Sequence, residues 1–285
     1  SSLTASLLYG RGFDTPEKAR SFLQRDEECF FDPFLLTDMD KAVSRIIYAL
    51  ERHEKITVYG DYDVDGVTAT SMLFLYLRSK GADVNYYIPD RLTDGYGVNT
   101  AAIDEISESG SSLIITVDTG ITAIAETDYA SGLGTDIVVT DHHCCGAELP
   151  RACAVVNPHR ADSVYPFKDL AGVGVAFKLV CALEKTFSPD EKYIHRVCAD
   201  YGDLAAVGTI ADVMPLFGEN RLIVSIGLKL IEEGRNFGFE ALCAAADNNA
   251  KASEQNRRQK KRKVNSTYIG YTIAPRINAA GRIRN

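Results

Sequence analysis

Ile56-Thr57-Val58-Tyr59-Gly60-Asp61-Tyr62-Asp63-Val64-Asp65-Gly66 is the stretch on which the fold turns. Ile56–Tyr59 reads as a short apolar strand. Gly60 breaks it, acids stand at 61, 63 and 65, and Gly66–Lys80 carries helical spacing until Gly81 ends it. Strand, acidic turn and helix form one unit, and the unit recurs downstream. Asp83–Ile88 predicts a strand and Asn99–Glu108 a helix. Leu113–Val117 is a continuous apolar run of the buried, parallel-strand type. Ile121–Ala130 predicts a helix, and Ile137–Thr140 and Ala152–Val156 two more strands. Gly174–Phe187, Tyr193–Ile210 and Arg221–Glu232 predict helices. Alternation of this kind predicts an α/β fold, a parallel sheet with helices on both faces.

Upstream, Thr15-Pro16-Glu17 sets a cap and a proline at a helix start, with Phe22 and Leu23 on its apolar face. Asp32-Pro33 marks a turn, and Met39, Val43, Ile46, Ile47 and Leu50 stand at helical spacing within Asp38–Leu50. Residues 1–40 therefore read as an N-terminal helical extension and 41–285 as the α/β domain.

At 285 residues and 46% hydrophobic, the chain can bury a core without disulfides. Its 25% charged content excludes wholesale disorder. No apolar run approaches the roughly eighteen residues of a membrane span. No basic segment followed by an apolar run opens the chain, so no secretory signal is expected in it. The seven cysteines are odd in number and form no CxxC pair, which predicts reduced thiols. Cys144 and Cys145 follow two histidines, but adjacent thiols rarely ligate one tetrahedral ion, so they read as ordinary residues.

The net charge of −8 conceals an asymmetry. Arg257, Arg258, Lys260, Lys261, Arg262 and Lys263 hold six positive charges, leaving −14 on the rest. This run could touch nucleic acid. The polar, loop-like flanks Asp247-Asn248-Asn249-Ala250-Lys251-Ala252-Ser253-Glu254-Gln255-Asn256 and Val264-Asn265-Ser266 favour a solvated loop.

In open α/β sheets, ligands sit beyond the carboxyl ends of the strands. The first strand runs into Asp61, Asp63 and Asp65, the Leu113–Val117 strand into Asp118, and the Ile137–Thr140 strand into Asp141-His142-His143. If these strands are neighbours, carboxylates and imidazoles converge on one rim. Like charges held that close destabilise a fold unless cations join them. Carboxylate and imidazole without thiolate suit Mn²⁺ or Mg²⁺. A central carboxylate can bridge two ions roughly 3.5–4 Å apart. Taken singly, Asp61 or Asp118 reads equally well as a helix cap and the histidines as loop residues. Three coincidences at three strand ends favour the metal site. Asp212, closing the apolar Val207–Ala211, is even between solvent-exposed helix end and buried ligand. The absence of GxGxxG, GxxxxGK[ST] and GxSxG argues against a nicotinamide dehydrogenase, a P-loop nucleotidase and a serine hydrolase.

These motifs resemble the DHH phosphoesterase superfamily, most closely its bacterial RecJ branch of single-strand-specific exonucleases. Tyr59–Gly66 looks like the first family motif, Val117-Asp118-Thr119-Gly120 the second, Asp141-His142-His143 the signature, and Gly208–Val213 the fourth. Asp32–Leu36, Leu170–Leu179 and Ala274–Arg282 are similar to the RecJ-type flanks. The resemblance implies a two-ion phosphodiesterase. Asp61 or Asp63 with Asp118 would hold one Mn²⁺ or Mg²⁺; Asp65, Asp118, His142 and Asp212 would hold the other, with Asp118 as bridge. Asp141 would orient the histidines, and His143 would sit behind the ions or touch the phosphate. Arg276, Asn278 and Arg282 are candidates for gripping DNA phosphate, with a loop closing on the core as the plain alternative. Arg91 and His159 are weaker candidates for the same cleft.

The function so implied is 5′→3′ hydrolysis of single-stranded DNA in repair and recombination, in the bacterial cytoplasm. A single-strand-binding protein and a helicase are the implied partners, with no membrane. Two alternatives stand beside it: a phosphodiesterase for oligoribonucleotides or cyclic dinucleotides, and a non-catalytic binder of DNA or replication partners. The first usually opens its first motif with histidine, whereas this chain has Tyr59-Gly60-Asp61. A complete relative would continue past Gly281 with a DHH-associated domain and an OB-fold, so the chain is expected to be a catalytic-core fragment.

Overall fold

β1 (Lys55–Tyr59), β2 (Val84–Tyr87), β3 (Ser111–Val117), β4 (Asp136–Thr140) and β5 (Ala154–Val156) form one parallel sheet, in the order β2-β1-β3-β4-β5, in the computed structural model. The structure describes residues 1–23, 29–90, 95, 97–251 and 264–280. The chain moves outward from β1 to β2, then returns to add β3 on the other side of β1. The winding therefore reverses between β1 and β3, where doubly wound sheets open a crevice. Register keeps the strand ends level: Tyr59 pairs with Thr116, and Val117 with Thr140. The ladder continues one residue beyond three strands, through Gly60 N to Tyr87 O, Asp118 N to Thr140 O and Asp141 N to Val156 O. These bonds anchor the backbone around the acidic residues.

Alternate strand residues feed two cores, as the period of two requires. Ile56, Val58, Leu113, Ile115, Val117 and Val138 pack with α3 (Met39–Glu51), α4 (Val64–Ser79), α7 (Gly172–Phe187) and α8 (Tyr193–Ala211). Ile114, Ile137, Val139 and Val155 face α5 (Thr100–Glu108) and α6 (Ile124–Gly132) in a smaller core. α7 is buried all round from Gly172 to Glu184, as a helix between sheet and helices must be. α9 (Gly218–Glu233) and α10 (Phe237–Lys251) follow α8. α11 (Ser266–Tyr268), a π turn (Ile269–Ile273) and α12 (Ala274–Ala280) close the described chain. Among the described residues no helix is long and apolar enough to cross a membrane.

Among the differences from the sequence expectation, three have an identifiable local reason. α4 starts at Val64 because the Asp63 carboxylate accepts from Gly66 N at 3.0 Å and caps it. α6 starts at Ile124, not Ile121: Gly120 takes φ 106°, and the Ile121 amide goes to Asp141 Oδ2 at 2.9 Å. α10 corrects the reading of residues 247–251 as loop. Phe239, Cys243 and Ala246, at helical spacing, are buried and carry the helix through its polar end. The basic run Arg257–Lys263 lies outside the described residues.

α1 (Ser2–Tyr9) and α2 (Pro16–Leu23) precede a 3₁₀ turn at Pro33–Leu35 capped by Asp32. This N-terminal part is tied to the helical layer by a buried charge pair. Lys178 Nζ, wholly buried, donates to Glu219 Oε1 at 2.9 Å and Phe31 O at 2.5 Å. Glu219 also accepts from Phe31 N at 3.0 Å and from the Tyr165 hydroxyl at 2.5 Å. Removing one member strands a buried charge, which costs about 3–5 kcal/mol. Lys178→Met is therefore expected to lower unfolding stability by that order in a urea titration, and Lys178→Met/Glu219→Gln to recover part of it.

Candidate metal centre

The acids meet at the level ends of β1, β3 and β4. Asp61 is buried directly after β1, its Oδ1 accepting from Tyr62 N at 2.8 Å. Asp65 sits in the first turn of α4, buried against the start of α7. Gly172 N and Val173 N donate to its two oxygens at 2.7 and 2.8 Å. Those amides are ones a helix start leaves unpaired, and they favour an anion. Asp118 follows β3 in the left-handed region, at φ 60°. Asp212 closes α8, and the next residue, Val213, takes φ 58° and is 85% exposed. Left-handed backbone is strained for a β-branched residue. Here it turns the chain sharply just past the carboxylate.

His142 Nε2 stands at the middle of this group. It lies 3.1 Å from Asp118 Oδ1, 3.7 Å from Asp212 Oδ2 and 3.9 Å from Asp65 Oδ2. Three sets of side chains each offer donor atoms within 4.8 Å of one another: Asp61, Asp63 and Asp118; Asp65, His142 and Asp212; and Asp118, His142 and His143. The first two sets are adjacent, and Asp118 borders both. Asp118 Oδ1 and Asp212 Oδ2 are buried and make no hydrogen bond. Buried polar atoms without partners are rare and costly. Oxygen atoms around one imidazole nitrogen are a donor set that suits a hard divalent cation. The residues fit two such ions.

The electrostatics point the same way. Burial, then the charges of Asp212 and Asp63, holds the Asp65 carboxyl well above the usual carboxylate range, against the bonds from Val173 and Gly172. Burial and the surrounding aspartates do the same to Asp118. Burial and Asp63 raise Asp212 to about 6. Burial, with the charge of His143, pushes His142 down to about 4, so its ring is neutral and available as a ligand. His159 follows β5, its backbone N donating to Asn157 Oδ1 at 2.7 Å.

Asp141 behaves differently. Burial opposes its charge, but the His143 hydrogen bond and the amides outweigh it and hold the carboxyl below its ordinary range. Its Oδ1 accepts from His142 N at 2.7 Å and His143 N at 3.1 Å, and lies 2.7 Å from His143 Nδ1. That bond raises the His143 pKa, and the side chain is 45% exposed at the rim. Asp141 thus bonds the His143 ring and the backbone N–H of both histidines, while the His142 ring stands among Asp65, Asp118 and Asp212.

Gly172 and Val173 thus position Asp65 through their backbone N–H groups. Leu170–Leu179 was legible as a motif but not as a role, because backbone groups leave no side-chain signature. The signal available was Gly172, beside the predicted helix. A Cβ there would lie 2.4 Å from Asp118 Oδ1. Gly172→Ala is therefore expected to displace Asp118, weaken ion binding at least tenfold by calorimetry, and lower stability by about 1–3 kcal/mol.

Arg276 and Asn278 are on α12, a helix and not the loop considered from sequence; α12 packs beside α4, and Arg276 Nη1 donates to Thr272 O. Arg91 and Arg282 lie outside the described residues.

Fold and site together define a doubly wound α/β protein with a two-site acidic cation cradle at its switch point. The model of the DHH family, N-terminal domain, matches residues 55–209, and the chain belongs to that family. The single-stranded-DNA-specific exonuclease RecJ of Bacillus subtilis is 46% identical over 99% of this chain and 33% of the relative. That of Escherichia coli is 38% identical over 87% of this chain and 42% of the relative. The crystal structure of RecJ from Thermus thermophilus in complex with Mn²⁺ superposes with a TM-score of 0.75 at 33% identity, covering 98% of this chain and 37% of that one. The chain thus spans well under half the length of the relatives it matches.

Proposed function

We propose that this chain is the catalytic core of a RecJ-like exonuclease that hydrolyses phosphodiester bonds of single-stranded DNA with two Mn²⁺ or Mg²⁺ ions. The carrying observation is the pair of adjacent donor sets meeting at Asp118, with its orphaned Oδ1. The relatives support the substrate: those of B. subtilis and E. coli bear the name of single-stranded-DNA-specific exonucleases. RecJ crystallised with Mn²⁺ supports the ion.

In this reading Asp61, Asp63 and Asp118 hold one ion, and Asp65, Asp118, His142 and Asp212 the other. Bound there, the ions supply an activated water and neutralise charge on the phosphate. The chain's own groups do the rest. The α7 amides keep Asp65 aimed inward, and His142 Nε2 stands among the carboxylates. Asp141 holds His143 at the rim, where the ring can donate to a phosphate oxygen. Arg276 and Asn278, with Arg91 and Arg282, are the proposed DNA contacts. Residues 1–40 act as a helical extension of the 41–285 catalytic domain. The wider setting is 5′→3′ digestion in DNA repair and recombination in the bacterial cytoplasm, with single-strand-binding protein and a helicase as partners.

The test is digestion of 5′-labelled and 3′-labelled single strands with Mn²⁺, alone and with the C-terminal domains of a longer relative supplied. Release of the 5′ label as mononucleotide is the expected result. Failure of both preparations to shorten the strand contradicts the reading.

A further inference from the structure

Asn220, in the first turn of α9, is wholly buried and ligates nothing. Its Nδ2 donates to Asp169 O at 2.5 Å and to Pro215 O at 3.2 Å, while its Oδ1 is buried without a hydrogen-bond partner. Two carbonyl acceptors require the amide to present its NH₂, so the orientation is determined by its surroundings. An unpaired buried oxygen costs stability, and an apolar residue of similar size would avoid that cost. The position of the two acceptors gives the amide its use.

Asp169 begins the segment that serves one member of the donor set of Asp65, His142 and Asp212: Gly172 and Val173 donate to the two oxygens of Asp65. Pro215 lies three residues beyond Asp212, the third member. The two bonds from Asn220 therefore join the segment that aims Asp65 to the loop that carries Asp212. Asp61 and Asp63 rest on the β1–α4 turn, which these bonds do not join, and Asp118, at the end of β3 and against Gly172, borders both donor sets.

We propose that Asn220 is a positioning residue for one of the two ion sites, that of Asp65, His142 and Asp212, through its bonds to Asp169 and Pro215. This rests on the two-ion reading above. Partners standing behind metal ligands typically change affinity 10- to 100-fold when removed. The consequence is selective: the ion held by Asp65, His142 and Asp212 loosens, and the ion held by Asp61, Asp63 and Asp118 does not.

Calorimetric titration of Mn²⁺ into wild type, Asn220→Asp and Asn220→Ala tests this. Asn220→Asp keeps the shape but offers at most the single donor of a buried, protonated carboxyl, and Asn220→Ala offers none; Asn220→Ser, with one donor, serves where either fails to fold. The expected result is two ions on wild type and, on the variants, one ion bound within about twofold of wild type and the other weakened about 10- to 100-fold, least in Asn220→Ser. Two ions bound as in wild type overturn the proposal. So does equal weakening of both, which is what a general structural role would give. A wild type that takes up no pair of ions overturns the two-ion reading itself, and the proposal with it.

Discussion

Asp118→Asn is expected to abolish Mn²⁺-dependent cleavage of single strands, by about a thousandfold or more, without unfolding the protein. Removal of one preorganised group that stabilises transition-state charge costs about 10²–10³ in rate. Asp118 borders both donor sets, so its loss disturbs two ions at once. Asparagine retains the volume and tolerates the left-handed backbone at φ 60°. The stability change has the opposite sign from the activity change. Burial and four neighbouring aspartates raise the Asp118 pKa, so its ionised carboxylate destabilises the ion-free protein at neutral pH. The variant is expected to melt higher than wild type without ions and lower with them. Rate assays and paired thermal melts with and without Mn²⁺ check both signs.

Mn²⁺ is expected to raise the melting temperature by on the order of 10 °C or more at pH 7.5 and by almost nothing at pH 5. Each ion at a hundred times its dissociation constant adds about 2.7 kcal/mol, and each kcal/mol shifts a chain of this size by about 2–4 °C. The pH dependence follows from the shifted groups. Asp65, Asp118 and Asp212 have raised pKa values, Asp212 at about 6, so the native state binds more protons than the unfolded chain from about pH 4 upward through 6. Their contribution to ion-free stability falls as pH rises through that window. His142, depressed to about 4, works against this between its folded value and about 6.5. Ion binding needs the carboxylates ionised and the imidazole neutral; the imidazole is already neutral at pH 5, so the increment follows the carboxylates. A melt series from pH 5 to 8, with Mn²⁺ and with EDTA, measures it. An increment that is flat across the series contradicts this assignment of the carboxylates.

Much of the fold was legible because its signals are local. Leu113–Val117 could only be a buried strand, and Gly66–Lys80 only a helix. Glycines and caps punctuated the rest. α10 was missed because its apolar stripe, Phe239, Cys243 and Ala246, is small and its end is polar. The start of α6 was missed because the competitor for its first amides, Asp141, lies on another strand. Strand order explains the candidate site in the same way. Acids at three strand ends were visible, but their convergence depended on β1, β3 and β4 being neighbours, which only tertiary pairing determines. The α7 amides stayed hidden because every residue carries such groups, and only geometry says which are used.

The bridge at Asp118 is the central claim, and electron paramagnetic resonance tests it most directly. With two equivalents of Mn²⁺, the wild-type protein is predicted to give the spectrum of an exchange-coupled pair. Asp118→Asn is predicted to give the spectrum of isolated ions. An isolated-ion spectrum from the doubly loaded wild type, or a coupled pair surviving in the variant, would contradict the account.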